Sequence, residues 1–270
     1  MSIKRWYLLA LFTLVACIGC QWQMRPDGTG GQEDAVTIER FDQMEILYLT
    51  TGDFAALQQM KTSYPTETRA LIEDVLRLGR VDEADINTRF LIFFQDSTLQ
   101  SMMGDVEKQY RDVDDLNGQL TEAFRRLRSM LPDTEMPRIY TQIGSLDQSI
   151  VVGDGMLGIS LDKYLGEDYP VYLRYGYSEG QRRMMTRQYI VPDCLCFYLL
   201  NRFPLPADSA TVADSIALTR VRRSHMGRIQ WVVNQLLDRP FFQRDEVTST
   251  AEFMKAHPDT GVEQLLSHTF

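Results

Sequence analysis

The sequence predicts an α+β fold that is mostly helical and contains a small antiparallel sheet. Apolar residues recur with helical spacing in the first half of the chain and again in the second half. Between these halves, residues 138–161 hold three short runs that favour strands, two of them joined by the tight-turn dipeptide Asp154-Gly155. Helices that flank a small sheet in this way are typical of α+β domains.

Composition and charge agree with a folded domain and narrow the range of its partners. Of the 270 residues, 44% are apolar and 24% are charged, which is typical of a globular chain and not of a disordered one. The formal net charge is −9, and an acidic chain repels phosphate backbones. We therefore expect no nucleic-acid partner.

The N-terminus predicts export and lipidation. Two basic residues precede the apolar run 6–15, which is too short to span a bilayer but suits the core of a signal peptide. The run leads into Leu14-Val15-Ala16-Cys17, which resembles the cleavage box of bacterial lipoproteins. We expect a signal peptide over residues 1–16 and acylation of Cys17, with Cys20 as the alternative site. An ordinary cleaved signal and an uncleaved N-terminal helix are the remaining interpretations.

The predicted anchor places the domain at a membrane. Acyl chains such as palmitate hold a protein to a bilayer because their methylene groups are buried in it. Residues 17–35 contain glycines, a proline and acids without an apolar period, which indicates a flexible tether, and residues 36–270 form the domain. No acidic pair directly follows either cysteine to indicate display outside the cell. We therefore expect an outer-membrane lipoprotein whose domain faces the periplasm.

The elements before the sheet follow from local patterns. Residues 35–41 alternate apolar and polar side chains and predict a first strand. Asp53 is a suitable N-cap for a helix that ends near Pro65, and the apolar run 90–94 predicts a fully buried segment. Further helices are expected over residues 67–78, 99–110 and 116–130, the last with a stripe of Leu116, Leu120, Phe124 and Leu127.

The sheet and the elements after it follow in the same way. Strands are expected over residues 138–143, 148–152 and 156–161. Helices are expected over residues 181–189, 192–202 and 211–237. The apolar seam of the last helix holds Val221, His225, Ile229, Val232 and Leu236. Phe253 and Leu265 are the expected packing points of the tail.

Motifs of common catalytic and cofactor sites are missing from the sequence. A zinc peptidase of the usual type carries His-Glu-x-x-His on a helix, but His225, His257 and His268 do not pair at that spacing. The chain also lacks the Gly-x-Ser-x-Gly elbow and the glycine patterns of nucleotide-binding loops. Cys194 and Cys196 are too close in sequence for an unstrained disulfide and are expected to be buried thiols. We therefore expect no catalytic residue, no metal and no cofactor.

Two groups of arginines stand out against the acidic background. The first comprises Arg182, Arg183 and Arg187, and the second comprises Arg220, Arg222, Arg223 and Arg228. Both groups lie on segments that are predicted to be helical. Either they form solvated helix faces with internal salt bridges, or they form a contact surface for anionic lipid head groups or for an acidic partner.

Several blocks, in this order along the chain, resemble the gliding-motility lipoprotein GldB family. The most specific block is 159–168, which contains Leu-Asp-Lys-Tyr-Leu-Gly and is followed by Tyr172. Weaker blocks are 38–42, the strand 138–143 that follows Pro132 and Pro137, and 187–193. The resemblance covers about residues 36–237, and it is poor in the region after Pro204.

The resemblance implies a lipoprotein of the cell envelope that occurs in gliding bacteria and in their non-gliding relatives. In gliding bacteria, the family is needed for surface movement. The family is distantly similar to zincins, the zinc peptidases that carry His-Glu-x-x-His. The corresponding segment here, 191–197, lacks both histidines and has Asp193 in place of the glutamate. The resemblance therefore implies a degenerate zincin-like fold that is kept for binding.

Three hypotheses for the function follow. The leading one is a non-catalytic, lipid-anchored envelope protein that binds an unidentified envelope protein, associated with gliding motility in gliding relatives. The alternative is a metal-dependent peptidase of the zincin type with non-standard ligands. A carbohydrate-binding or carbohydrate-cleaving protein is the third.

Asp162 is the first candidate for a site residue if its role is not structural. We expect Leu161 to end a strand in the core, and Asp162 to cap the helical turn that follows by accepting from backbone N–H groups two and three residues on. Gly166 would end that turn in a left-handed conformation. On this interpretation the block is a corner between the sheet and the second half, and it needs no reactive group.

Overall fold

The computed structural model describes residues 35–153, 155–205 and 215–267. The predicted signal peptide, nearly all of the predicted tether, and both candidate acylation sites, Cys17 and Cys20, lie outside these residues. So do Asp154 of the predicted turn and the first residues of the predicted helix 211–237. Among the helices in the described part of the chain, none combines the length and the apolar character that a bilayer crossing demands.

Helices make up most of the described residues, and the mostly helical α+β prediction is confirmed. Before the sheet lie α1 (Phe41–Thr51), α2 (Phe54–Ser63), α3 (Pro65–Arg69, continued by a π-helix over Ala70–Val75), α4 (Ile86–Phe93), α5 (Ser97–Gln109) and α6 (Asp114–Met130). After it lie α7 (Pro170–Arg174), α8 (Glu179–Arg182), α9 (Ile190–Arg202), α10 (Ser215–Leu237), α11 (Asp245–Ala256) and α12 (Val262–Ser267). Short 3₁₀ turns cover Leu161–Tyr164 and Arg187–Tyr189.

The sheet is mixed and not wholly antiparallel as predicted. Its strands are β1 (Arg138–Gln142), β2 (Ile150–Gly153) and β3 (Met156–Ser160), in the order β1-β3-β2. The hairpin β2–β3 is antiparallel, but β3 also pairs with β1 in parallel. The central strand β3 is buried along its whole length, which explains why it is rich in apolar residues.

The segment before α1 was predicted as a strand, and that prediction is wrong except for one bridge, between Glu39 and Tyr140. The alternation does place Val36 and Ile38 in the core. However, their N–H groups donate to side chains of α6, to Thr121 Oγ1 at 2.9 Å and to Asn117 Oδ1 at 2.8 Å. Because side chains of α6 accept from these N–H groups, the segment forms no regular ladder of strand hydrogen bonds. The helix α1 then starts at Phe41.

Three further predictions of local structure need correction. The apolar run 90–94 belongs to α4 and its C-cap, so Phe90 and Phe94 are buried while Ile92 is 58% exposed. The predicted helix 181–189 is only α8 followed by the second 3₁₀ turn. The predicted helix 67–78 starts earlier, at Pro65, and becomes a π-helix.

The predictions that depended on long apolar stripes are confirmed. All four residues of the α6 stripe are buried, and four of the five residues of the α10 seam are buried, Val221 being only half-buried. Asp53 caps α2 by accepting from Ala55 N at 2.7 Å. In the core, Phe41 of α1 meets Tyr140 of β1 edge to face, with ring centroids 6.1 Å apart.

Candidate functional site

Asp193 lies near the start of α9, at the position that the zincin resemblance aligns with the catalytic glutamate. The hydroxyl of Tyr164, a residue that is 1% exposed, donates to Asp193 Oδ2 at 2.8 Å. Removal of the carboxylate from water raises the pKa of Asp193 to about 7, and the hydrogen bond from Tyr164 partly opposes this. Asp193 thus joins α9 to the 3₁₀ turn after β3.

The two thiols that follow on α9 are enclosed. Cys194 and Cys196 are free and buried, as expected from the sequence. Burial raises the pKa of both thiols, which keeps them protonated at neutral pH. Within residues 35–153, 155–205 and 215–267 there is no group of three histidine, cysteine, aspartate or glutamate side chains that could hold a metal ion.

The histidines are distributed over different elements. His225 of α10 is 2% exposed, and its Nε2 lies 2.8 Å from the carbonyl of Phe203. His257 follows α11, and its Nδ1 lies 3.0 Å from the carbonyl of Phe253. His268 lies outside the described residues. His225 and His257 therefore each contact a backbone carbonyl through one ring nitrogen.

Asp162 is fully buried, but its carboxylate does not cap the turn that was predicted. Its Oδ1 accepts from Gly144 N at 2.8 Å and its Oδ2 from Leu146 N at 2.6 Å. The 3₁₀ turn that it was expected to cap has no side-chain cap. The reason is the parallel pairing of β1 with β3, which brings the ends of these strands to one edge of the sheet. The carboxylate just after β3 then reaches the loop just after β1.

The loop that Asp162 holds, residues 143–146, has an unusual backbone. Ser145 and Leu146 have φ values of 52° and 63°, in the left-handed region that non-glycine residues seldom adopt. The expected burial of Leu161 and the positive φ of Gly166 are both present. The hydroxyl of Tyr172 donates to the Asp162 carbonyl at 2.6 Å, which links α7 to the residue just after β3.

A second buried carboxylate lies at this corner, and no local pattern in the sequence predicts it. Glu45 of α1 is fully buried, and its Oε2 accepts from Ile143 N at 2.8 Å. Burial raises its pKa well above the ordinary range. Asp42, one turn earlier, accepts from Thr141 Oγ1 and pairs with Arg40. Asp42 lies in a block that carried the family resemblance, but no local signal links either acid to β1.

The first arginine group is paired within the domain. Arg183 pairs with Glu179 and lies 3.5 Å from Glu167 Oε1. Arg187 pairs with Asp115 and lies over the ring of Tyr110, 4.9 Å from its centroid. Arg182 donates to the carbonyl of Glu167 at 3.0 Å. The structure therefore engages each of these three guanidinium groups with acceptors on neighbouring segments.

Most of the second arginine group lies along one wall of a groove that no local pattern in the sequence predicts. Three of its four members line a cavity of about 730 Å³ between α10, α11 and α12: Arg220, Arg223 and Arg228. Arg222, on the same helix, does not line it. The groove also has apolar lining from Ile216, Phe253 and Leu265. The two arginine groups lie on different elements, the first around α8 and the second 3₁₀ turn and the second on α10.

Comparison with known proteins agrees with the resemblance seen in the sequence. A family model described as gliding motility protein GldB matches residues 21–238. Neither the search of curated proteins nor the search of solved structures found a match. Since the family model matches far more than half of the chain, this protein belongs to the GldB family of gliding-motility-associated lipoproteins.

Proposed function

We propose that this chain is a lipid-anchored protein of the cell envelope that catalyses no reaction and acts by binding another envelope component. The observation that supports this most directly is the surroundings of Asp193 in α9. Its carboxylate accepts a hydrogen bond from Tyr164, and the two nearby thiols are buried. In α9, the residues at the positions of the zincin motif therefore contact the interior of the domain.

The chemistry of these groups supports the same proposal. A general base must lie within hydrogen-bond reach of the proton that it removes, whereas Asp193 Oδ2 is already engaged by a tyrosine hydroxyl. Cysteine binds metals as the thiolate, and burial raises the pKa of Cys196 well above its ordinary value. Pro192, next to Asp193, has no side-chain ligand atom to offer.

The alternative, a metal-dependent peptidase with non-standard ligands, is the weaker proposal. Such a peptidase needs several ligands at one point, and within residues 35–153, 155–205 and 215–267 no three histidine, cysteine, aspartate or glutamate side chains come together in that way. His225 and His257 each have one ring nitrogen against a backbone carbonyl, at 2.8 Å and 3.0 Å. No contact of the described residues specifically favours this alternative.

The envelope location and the anchor form the second part of the proposal. Cys17 would carry the acyl chains, and residues up to 35 would tether the domain to the outer membrane, with the domain in the periplasm. A Cys17→Ser chain should then stay unprocessed or unanchored, whereas the matched Cys20→Ser chain should behave as the wild type. Mass spectrometry of the mature N-terminus reads this out. Acylation of Cys20 would move the site, and removal of the domain by protease on intact cells would contradict the periplasmic location.

The non-catalytic part is tested by complementation of a strain that lacks the chain. We expect Asp193→Asn to rescue the deletion phenotype as well as the wild type does, because asparagine still offers an acceptor to Tyr164. Cys17→Ser should fail to rescue. An Asp193→Asn chain that is present at the wild-type level and folds normally, yet fails to rescue, would contradict the proposal and favour a catalytic carboxylate.

A further inference from the structure

The groove between α10 and α11 arises from the way that these helices cross. Gly227 of α10 lies against Glu246 of α11 so closely that a Cβ on Gly227 would be 2.4 Å from the Cβ of Glu246. Most of the cavity lining comes from residues of α10 before this contact and from residues of α11 after it. The cavity has a volume of about 730 Å³, and α12 contributes Leu265 to its lining.

Each wall of the groove is a helix face with regular spacing. The α10 wall presents residues at intervals of three or four, and it supplies all the cationic lining: Ile216, Thr219, Arg220, Arg223, Ser224 and Arg228. The α11 wall supplies hydroxyl groups, one aromatic ring and, at its N-terminal end, two acids: Asp245, Glu246, Ser249, Thr250 and Phe253. One side of the groove therefore carries the arginines, and the other carries hydroxyl groups, an aromatic ring and, at its N-terminal end, two acids.

The arginines of the groove have different surroundings. Arg223 forms an ion pair with Glu246 at 2.6 Å, so its charge is largely balanced. Arg228 is only 6% exposed, and its Nη1 lies 3.3 Å from the carbonyl of Leu265. Arg220 is exposed on the helix face that lines the cavity, and no ion pair of Arg220 occurs within the described residues. Arg220 is thus the guanidinium best placed to receive an anion from solution.

We propose that this groove binds an anionic amphiphile, a small molecule with one acidic head group and an apolar chain. Arg220 would hold the head group through a charge-assisted hydrogen bond, with Arg228 deeper in the groove. The chain would lie against Ile216, which is 70% exposed, and Phe253. The inference goes beyond the proposed function and does not rest on it.

The size and charge of the groove favour this occupant over an acidic protein segment. Its volume is within the range of about 300–1,000 Å³ that is usual for small-molecule sites. An acidic helix would present several carboxylates, and it would meet Asp245 and Glu246 on the α11 wall. A single head group can reach Arg220 without facing these two acids.

One wall of the groove lies beyond the residues that the family model matches. The family match ends at residue 238, whereas α11 and α12 cover residues 245–267. One whole wall therefore comes from a segment that the family model does not include.

Photo-cross-linking tests the proposal on the full chain in phosphatidylcholine vesicles. The probe is palmitic acid with a diazirine on its alkyl chain, and its cross-links are mapped by peptide mass spectrometry. We expect saturable cross-linking to residues of α10 and α11, which free palmitic acid competes away and hexadecanol, with no charge, does not. Cross-links elsewhere in the chain, or equal competition by hexadecanol, would overturn the proposal. So would competition by an acidic peptide without competition by palmitic acid.

Matched arginine variants provide the control. Arg220→Gln should lower the cross-link yield at a fixed low probe concentration at least about tenfold, which is the loss expected for a hydrogen bond between two charged groups. Arg222→Gln removes the same charge from an exposed position of the same helix outside the groove, and it should stay within about twofold of the wild type. Ile216→Ser should also weaken binding if the chain of the probe lies there. Equal losses in Arg220→Gln and Arg222→Gln would overturn the proposal, since they would reflect net charge alone.

Discussion

The corner around Asp162 and the groove along α10 use charge in opposite ways. At the corner, Asp162 and Glu45 are fully buried, and each accepts from backbone N–H groups of residues 143–146. In the groove, the Arg220 guanidinium lines an open cavity at the surface. Both regions hold charged side chains, but only the groove presents a charge to solvent. The direction in which a charge faces therefore separates a structural role from a binding role.

The largest expected effect comes from breaking the corner with Asp162→Ala. The substitution leaves the N–H groups of Gly144 and Leu146 buried without their acceptor, so we expect a loss of roughly 2–4 kcal/mol in the free energy of unfolding. Urea denaturation measures it. The matched control is Asp168→Ala, an exposed acid of the same block, for which a change within about 0.5 kcal/mol is expected. An unchanged stability in Asp162→Ala would show that the corner is not what this residue maintains.

The second prediction concerns Gly227→Ala, which adds a methyl group where α10 contacts α11. The added methyl group would lie 2.4 Å from the Glu246 Cβ and 2.8 Å from its carbonyl carbon, so α11 must move away. We expect a loss of about 1–3 kcal/mol, measured by thermal or urea unfolding. Gly118→Ala, in α6, is the control because nothing lies within 4 Å of its added Cβ, and it should be neutral or stabilising by up to about 1 kcal/mol. Equal behaviour of the two variants would refute the close crossing.

The pH dependence of stability tests how strongly Asp193 is enclosed. Because its pKa rises from 3.8 to about 7 on folding, the folded chain keeps a proton that the unfolded chain has lost in this window. The stabilising contribution of this proton is complete below the ordinary pKa and is lost as the pH rises to about 7. The free energy of unfolding should therefore fall with rising pH, with a contribution from Asp193 of at most about 1.4 kcal/mol per pH unit.

Asp193→Asn isolates this contribution, because the buried acids whose pKa is raised, Glu45 and Asp162, are present in both proteins. The difference in the free energy of unfolding between wild type and variant should change through this window and become constant above it. Parallel curves for the two proteins would mean that Asp193 ionises as it does in water.

The smallest expected effect concerns the first arginine group. Arg183 is exposed and pairs with Glu179 and Glu167 at the surface, where ion pairs are screened by solvent. Arg183→Gln should therefore change the free energy of unfolding by no more than about 0.5 kcal/mol. If the variant kept its stability but failed to rescue the deletion phenotype, this group would be a contact surface, and the groove would not be the main binding region.

Local patterns in the sequence were sufficient for much of the fold. The α6 stripe from Leu116 to Leu127 and the hairpin of β2 and β3 depend on residues that are close in the chain, so periodicity and turn residues reveal them. The strand predicted before α1 was wrong because Val36 and Ile38 alternate with polar residues as in a strand. The side chains that accept from their N–H groups, Thr121 and Asn117, are distant in the sequence and lie on a helix.

The parts that could not be predicted depend on distant contacts. The parallel pairing of β1 with β3 decides which N–H groups Asp162 meets, and nothing near Asp162 in the sequence encodes it. Glu45 meets Ile143 only because α1 packs on β1. The groove exists because Gly227 allows α11 to touch α10, which a glycine inside a helical pattern does not reveal.

The proposal that α9 holds no catalytic metal is tested most directly by the zinc content of the purified protein. The chain is purified in the presence of zinc, dialysed without chelator, and analysed by mass spectrometry for metal per chain, beside the Asp193→Asn and Cys196→Ala variants. We expect far less than one equivalent in all three proteins. One tightly held equivalent in the wild type that is lost in either variant would contradict a structural role for α9 and support the peptidase alternative.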